Sequence, residues 1–138
     1  MKKNLFLNLT VHTLTKKQIQ RAKQRFKVID FINIKEDYQE LFEELSNLKI
    51  NSDIDELCCK LFEYINGYTP FYDIIYIHMP CGSPFFQAKF FHDFLKRIRF
   101  NGDVRFIFSF SERKVVENEI NGKVEKKVIF DFVDFQIL

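Results

Sequence analysis

The sequence predicts an α/β domain with a mainly parallel sheet flanked by helices and a C-terminal antiparallel β-hairpin. Short apolar runs rich in Val, Ile, Leu and Phe alternate with segments whose apolar residues recur every three or four positions, the pattern of strands joined by helical crossovers. Asn121-Gly122 stands between two β-rich arms, the preferred two-residue hairpin turn. With 4 Gly and 3 Pro in 138 residues, the chain is neither loop-dominated nor of low complexity.

Each element follows from its residues. LFLNLTV, residues 5 to 11, reads as a fairly buried first strand. Thr15 opens a helix to about Phe26, because Gln18 three residues on completes a capping box. Ile19, Ala22 and Phe26 form its apolar face, and Lys16, Lys17, Arg21, Lys23 and Lys27 a basic face read as solvated. VIDFINI, residues 28 to 34, is the second strand, followed by a helix over 37–48 with Leu41, Leu45 and Leu48 aligned. Ser52 with Asp55 signals the next helix, which ends near Gly67. YDIIYIHM, residues 72 to 79, is the central strand; Pro84 starts a helix closing at Asn101-Gly102. VRFIFSF, residues 104 to 110, leads to the hairpin, in which Glu117 faces Lys126 and Val115 faces Val128.

A chain of this length forms one domain, residues 1–138, large enough to bury a core without staples. Hydrophobic residues make up 46% and include 18 Phe, read as core filling. A formal net charge of +2 gives no strong field for long DNA, so a small anionic ligand fits better. The N-terminal apolar run is broken by Asn4, Asn8 and Thr10 and lacks a small-residue cleavage site, unlike a signal peptide. No run reaches the ~18 apolar residues of a membrane span. Three cysteines, two adjacent at Cys58 and Cys59, suit a reducing compartment, and a cytoplasmic location is expected.

The chemistry-bearing residues gather at predicted C-terminal strand ends. If the first strand leads to one side of the sheet and the third returns on the other, a switch point lies between residues 10–13 and 80–84. Thr10, His12 and Thr13 stand at the first end. MPCGSP supplies Cys81, Gly82 and Ser83 at the second, readable as a phosphate cradle or as a tight turn with a capping serine. Gln87, six positions after Cys81, replaces the Arg that a cysteine phosphatase requires. His12 suits proton transfer or backbone capping, whereas His78 in a strand and His92 in a helix read as structural. Ser109, Ser111, Arg113 and Lys114 follow at the end of the fourth strand, the last two with charge suited to phosphate. The histidines show no metal-ligand spacing, so neither metal nor cofactor is expected.

HTLTKKQ, the small-residue loop after a buried strand, and above all ERKVVEN, NGKVEKK and a terminal V-x-F pattern resemble a small family of Csx-type ring nucleases that accompany type III CRISPR systems. The pattern spans nearly the whole chain, although Val11 stands where the family's loop carries a small hydroxyl residue. The resemblance implies a Rossmann-like fold of the CARF kind and metal-free cleavage of cyclic tetra-adenylate across a homodimer. A ribose 2′-hydroxyl would attack the adjacent phosphorus. His12, Arg113 and Lys114 would be catalytic, while Thr10, Thr13, Cys81, Gly82, Ser83, Ser109 and Ser111 would bind the ligand. A binding module that leaves the ring intact, a ribonuclease on linear RNA, and an interaction domain are the other readings.

Overall fold

Five strands form one mixed sheet in the order β2-β1-β3-β4-β5. The computed structural model describes residues 3–138; Met1 and Lys2, which begin the segment weighed above as a leader, lie outside the described residues. β1 (Lys3–Asn8), β2 (Val28–Asn33), β3 (Tyr72–Met79) and the first part of β4 (Asp103–Ile120) run parallel, and β5 (Lys123–Ile137) returns antiparallel along β4. β1 is therefore flanked by β2 on one side and β3 on the other, which creates the expected switch point at their C-terminal ends.

Strand alternation sorts the core into two layers. Leu5, Leu7, Ile75, Ile77 and Met79 face the larger cluster, which also takes Leu41, Leu61, Ile65, Phe86 and Phe90 from the helices. Phe6, Tyr76 and Ile107 face the other way, against Ala22 and Phe26 of α1 (Lys16–Phe26) and Phe135 of β5. Asn8, His78 and Ser109 continue this second set at even offsets along β1, β3 and β4, and so share the α1 side of the sheet.

α1 begins as read from the sequence. The Thr15 hydroxyl accepts from Gln18 N–H, and the Gln18 amide oxygen accepts from Thr15 N–H at 2.8 Å. Lys16, Lys17, Lys23 and Lys27 of its basic face are exposed as expected, and Arg21 is half-buried where β5 brings carboxylates alongside. Arg21 and Arg25 reach Asp134 at 2.9 and 3.0 Å, and Lys17 reaches Asp131 at 2.9 Å. Arg21, foremost, holds the Asp134 carboxyl well below the usual carboxylate range. Thr15→Ala is expected to cost about 1 kcal/mol, seen as a fall in Tm of about 4 °C by thermal unfolding.

Other helices depart from the expected spans. The segment expected as one helix over 37–48 is α2 (Ile34–Asp37) followed by α3 (Gln39–Ser46), broken at Tyr38. Tertiary contacts set that break: the Asp37 carboxylate accepts from the Tyr64 hydroxyl at 2.7 Å, and Tyr38 packs edge-on against Tyr64. α4 (Ile54–Asn66) is capped by Asp53 and not by Ser52, whose hydroxyl instead accepts from Lys49 N–H. α5 (Pro84–Ala88) widens into a π-helical segment, Lys89–Phe94, and helical structure stops well before Asn101. Phe86, Phe90 and Phe94 stack along it with ring centroids 6.1 and 6.0 Å apart.

The hairpin matches its expected register. Asn121 and Gly122 both have positive φ, 53° and 75°, as the tight turn requires. Glu117 pairs with Lys126 and Val115 with Val128. Among the described residues, no helix is long and apolar enough to cross a membrane.

Candidate functional site

Beyond the C-terminal ends of β1 and β3, beside the middle of β4, the sheet opens into a cavity of about 580 Å³. Five residues singled out from the sequence line it: Thr10, His12, Thr13, Ser109 and Ser111. Other lining residues were not assigned to a site by sequence reasoning, among them Thr15, Gln18, His78, Phe108 and Phe130. The lining carries two imidazoles and several hydroxyls between aromatic walls and, among the described residues, neither a carboxylate nor a Lys or Arg.

A polar row crosses the sheet beneath this cavity. Asn33, Asn8 and His78 are register neighbours on β2, β1 and β3, and each bonds to the next. The Asn8 amide donates to Asn33 Oδ1 at 2.9 Å, and Asn8 Oδ1 lies 3.0 Å from His78 Nδ1. On the other edge of the ring, His78 Nε2 lies 2.6 Å from Ser109 Oγ, which also accepts from the Gln18 amide at 3.1 Å. Gln18, the capping-box residue of α1, thus ties the helix start to the floor of the site.

His78 is buried, as a structural histidine would be, but its ring edge also joins the hydroxyl of Ser109 in the cavity wall. Burial first, and the neighbouring charge of His12 second, lower its pKa to about 4, so the ring is neutral at pH 7. The available signal was periodicity. Asn8 and His78 place polar side chains at the C-terminal ends of β1 and β3, and Ser109 one within β4, where alternation assigns an inward-facing slot.

The remaining expected site residues are placed as follows. Thr10 is buried and its hydroxyl donates to Asn8 Oδ1 at 2.8 Å, so it braces the row. His12 is exposed at the cavity rim. Cys81 is buried, and burial pushes its thiol up to about 12, so it stays protonated. Ser83 caps α5 by accepting from Phe86 N–H. Gly82 takes φ +68°, and a Cβ there would meet the Phe86 ring at 2.9 Å, so glycine is needed for this turn. Neither Gly82 nor Ser83 lines the cavity. Arg113 stands opposite Phe130 in the β4–β5 register, next to the cavity wall. Lys114 is paired with Asp131 at 3.1 Å, a carboxylate it shares with Lys17. Among the described residues, no three His, Cys, Asp or Glu side chains gather in a metal-holding group.

The fold and site define an α/β protein with a polar cleft at the switch point of its sheet. Residues 4–136 match the model of the uncharacterized protein MJ1673 family, and the chain belongs to that family. No curated protein and no solved structure matches the chain.

Proposed function

We propose that this protein is a ring nuclease of Rossmann-like, CARF-like architecture that opens cyclic tetra-adenylate by metal-independent attack of a ribose 2′-hydroxyl, and so switches off type III CRISPR signalling. The observation that carries the reading is the cleft at the switch point. There, two histidines and the Ser109 and Ser111 hydroxyls converge in a volume suited to a nucleotide. Phe108 and Phe130 offer faces for an adenine, and Arg113 at the adjoining hairpin root offers a fork for phosphate. The sequence motifs ERKVVEN and NGKVEKK, which carry the resemblance, form the two arms of that hairpin.

A ring of repeated units suits a two-fold homodimer in which each chain presents the same cleft to opposite phosphates. Val115, Ile120, Val124 and Phe130 are exposed on the hairpin and supply apolar surface for the second copy. The reading places the protein in the cytoplasm, where its unpaired cysteines stay reduced.

Incubation with cyclic tetra-adenylate in chelator should yield linear products ending in a 2′,3′-cyclic phosphate, resolved by chromatography. Arg113→Ala should slow ring opening by about 10²-fold, and Lys114→Ala by less, since its charge is already shared with Asp131. An intact ring at high enzyme concentration would reject the nuclease. A binding module that does not cut is favoured by one observation: among the described residues, no cation lines the cavity itself. Tight binding without product would select it.

A further inference from the structure

We infer that the Ser109 hydroxyl, backed by His78, is the group that takes the proton from the attacking 2′-hydroxyl. The inference rests on the phosphodiesterase reading and assigns within it a step for which sequence reasoning chose His12.

Backbone groups set the polarity of the network from both ends. Thr10 N–H can only donate, and it points at Asn8 Oδ1 (3.2 Å); the His12 carbonyl can only accept, and it faces Asn8 Nδ2 (3.0 Å). The Asn8 amide therefore has one orientation, with its oxygen toward His78. An oxygen at that position requires the ring proton on Nδ1, which leaves Nε2 as a bare lone pair. At the other end, Thr15 N–H donates to Gln18 Oε1, so the Gln18 nitrogen faces Ser109 Oγ and donates to it. With that bond received, the Ser109 hydroxyl proton is directed at His78 Nε2, 2.6 Å away. The result is a serine oxygen whose proton already lies along a bond to an imidazole acceptor, in the wall of the cavity. His12, by contrast, is exposed at the cavity rim.

In the proposed step the 2′-hydroxyl proton passes to Ser109 Oγ as the serine proton moves to His78 Nε2. The 2′-oxygen forms its bond to phosphorus, the bond from phosphorus to the 5′-oxygen breaks, and that oxygen takes a proton from water. His78 then returns its proton to solvent. Ser109 is the catalytic residue in this scheme, and His78 acts through it. The ring's low pKa, about 4, keeps Nε2 free at neutral pH but makes it a weak base, so turnover is slow.

The test combines single-turnover cleavage of cyclic tetra-adenylate with nitrogen NMR of the His78 ring. Ser109→Ala should lose about 10²-fold in rate while ligand affinity stays within about threefold, and Ser109→Thr, which keeps a hydroxyl, should recover much of the rate. His78→Asn retains a donor toward Asn8 but no acceptor toward Ser109, and should match Ser109→Ala. In the wild-type protein the ring proton should reside on Nδ1. A proton on Nε2, or wild-type cleavage by Ser109→Ala, overturns the inference while leaving the nuclease standing. Failure of the wild-type protein to open the ring, with the Nδ1 proton in place, overturns the nuclease reading and the catalytic step together.

Discussion

Asn8→Leu is expected to cost about 3–5 kcal/mol of folding stability, because it strips partners from several polar groups at once. Asn8 is 1% exposed. Its oxygen receives Thr10 N–H, the Thr10 hydroxyl and His78 Nδ1, and its nitrogen serves the His12 carbonyl and Asn33. Leucine matches its size closely but returns none of these bonds, so buried donors on Thr10 and His78 are left without acceptors. Domains are stable by about 5–15 kcal/mol, so the loss is a large share of the total. Urea denaturation should show a much lower midpoint with little change in slope. A loss under about 1 kcal/mol would mean that the row is open to water.

His78 should impose a second large effect, on the pH dependence of stability. Its folded pKa is about 4 against an ordinary value of 6.5. As pH falls, the unfolded chain binds this proton first, so the contribution is full above pH 6.5 and is lost between there and about 4. The loss amounts to ~3 kcal/mol. The ring is shifted by burial first and by His12, on the loop after β1, second; β4 presents the uncharged Ser109 to it, and the uncharged Gln18 of α1 bonds Ser109 in turn. Asp134, paired with Arg21 and Arg25, and Asp131, paired with Lys17 and Lys114, have depressed carboxyl pKa values. Their pairings weaken only as pH falls below the ordinary value of 3.8, a lower window. Between pH 7 and 4.5, wild-type stability should therefore fall about 2–3 kcal/mol further than that of His78→Asn. Parallel curves would show that the ring is charged or solvated in the folded protein.

Local chemistry made most of the fold legible. The Thr15–Gln18 capping box, the Asn121-Gly122 turn and the Val115–Val128 register involve residues close in sequence, and the structure contains each of them. Tyr38 breaks what the leucine spacing presents as one helix, because Asp37 and Tyr38 are both claimed by Tyr64 on α4. Likewise the basic face of α1 is exposed as read, but nothing near it in sequence shows that Lys17 and Arg21 are paired, because their partners Asp131 and Asp134 lie on β5, more than 100 residues later. Such contacts leave no periodic trace along the chain.

The candidate site divides in the same way. Thr10, His12, Thr13, Ser109 and Ser111 follow from the rule that ligands sit at strand ends beside a switch point, and all five line one cavity. Gly82 and Ser83 follow from the same rule, yet the Phe86 ring and the short helix occupy their geometry.

The sequence by itself determined the alternation of strands and helices, the caps and the hairpin, since propensity, capping and turn chemistry act over a few residues. It also placed hydroxyls and a histidine at the ends of the right strands. Only the tertiary structure decided that Asn8, His78 and Ser109 meet. Their contact depends on strand order and on parallel register between segments 31 and 70 residues apart. That pairing sets which ring nitrogen carries the proton, and so turns a buried histidine into a proton acceptor.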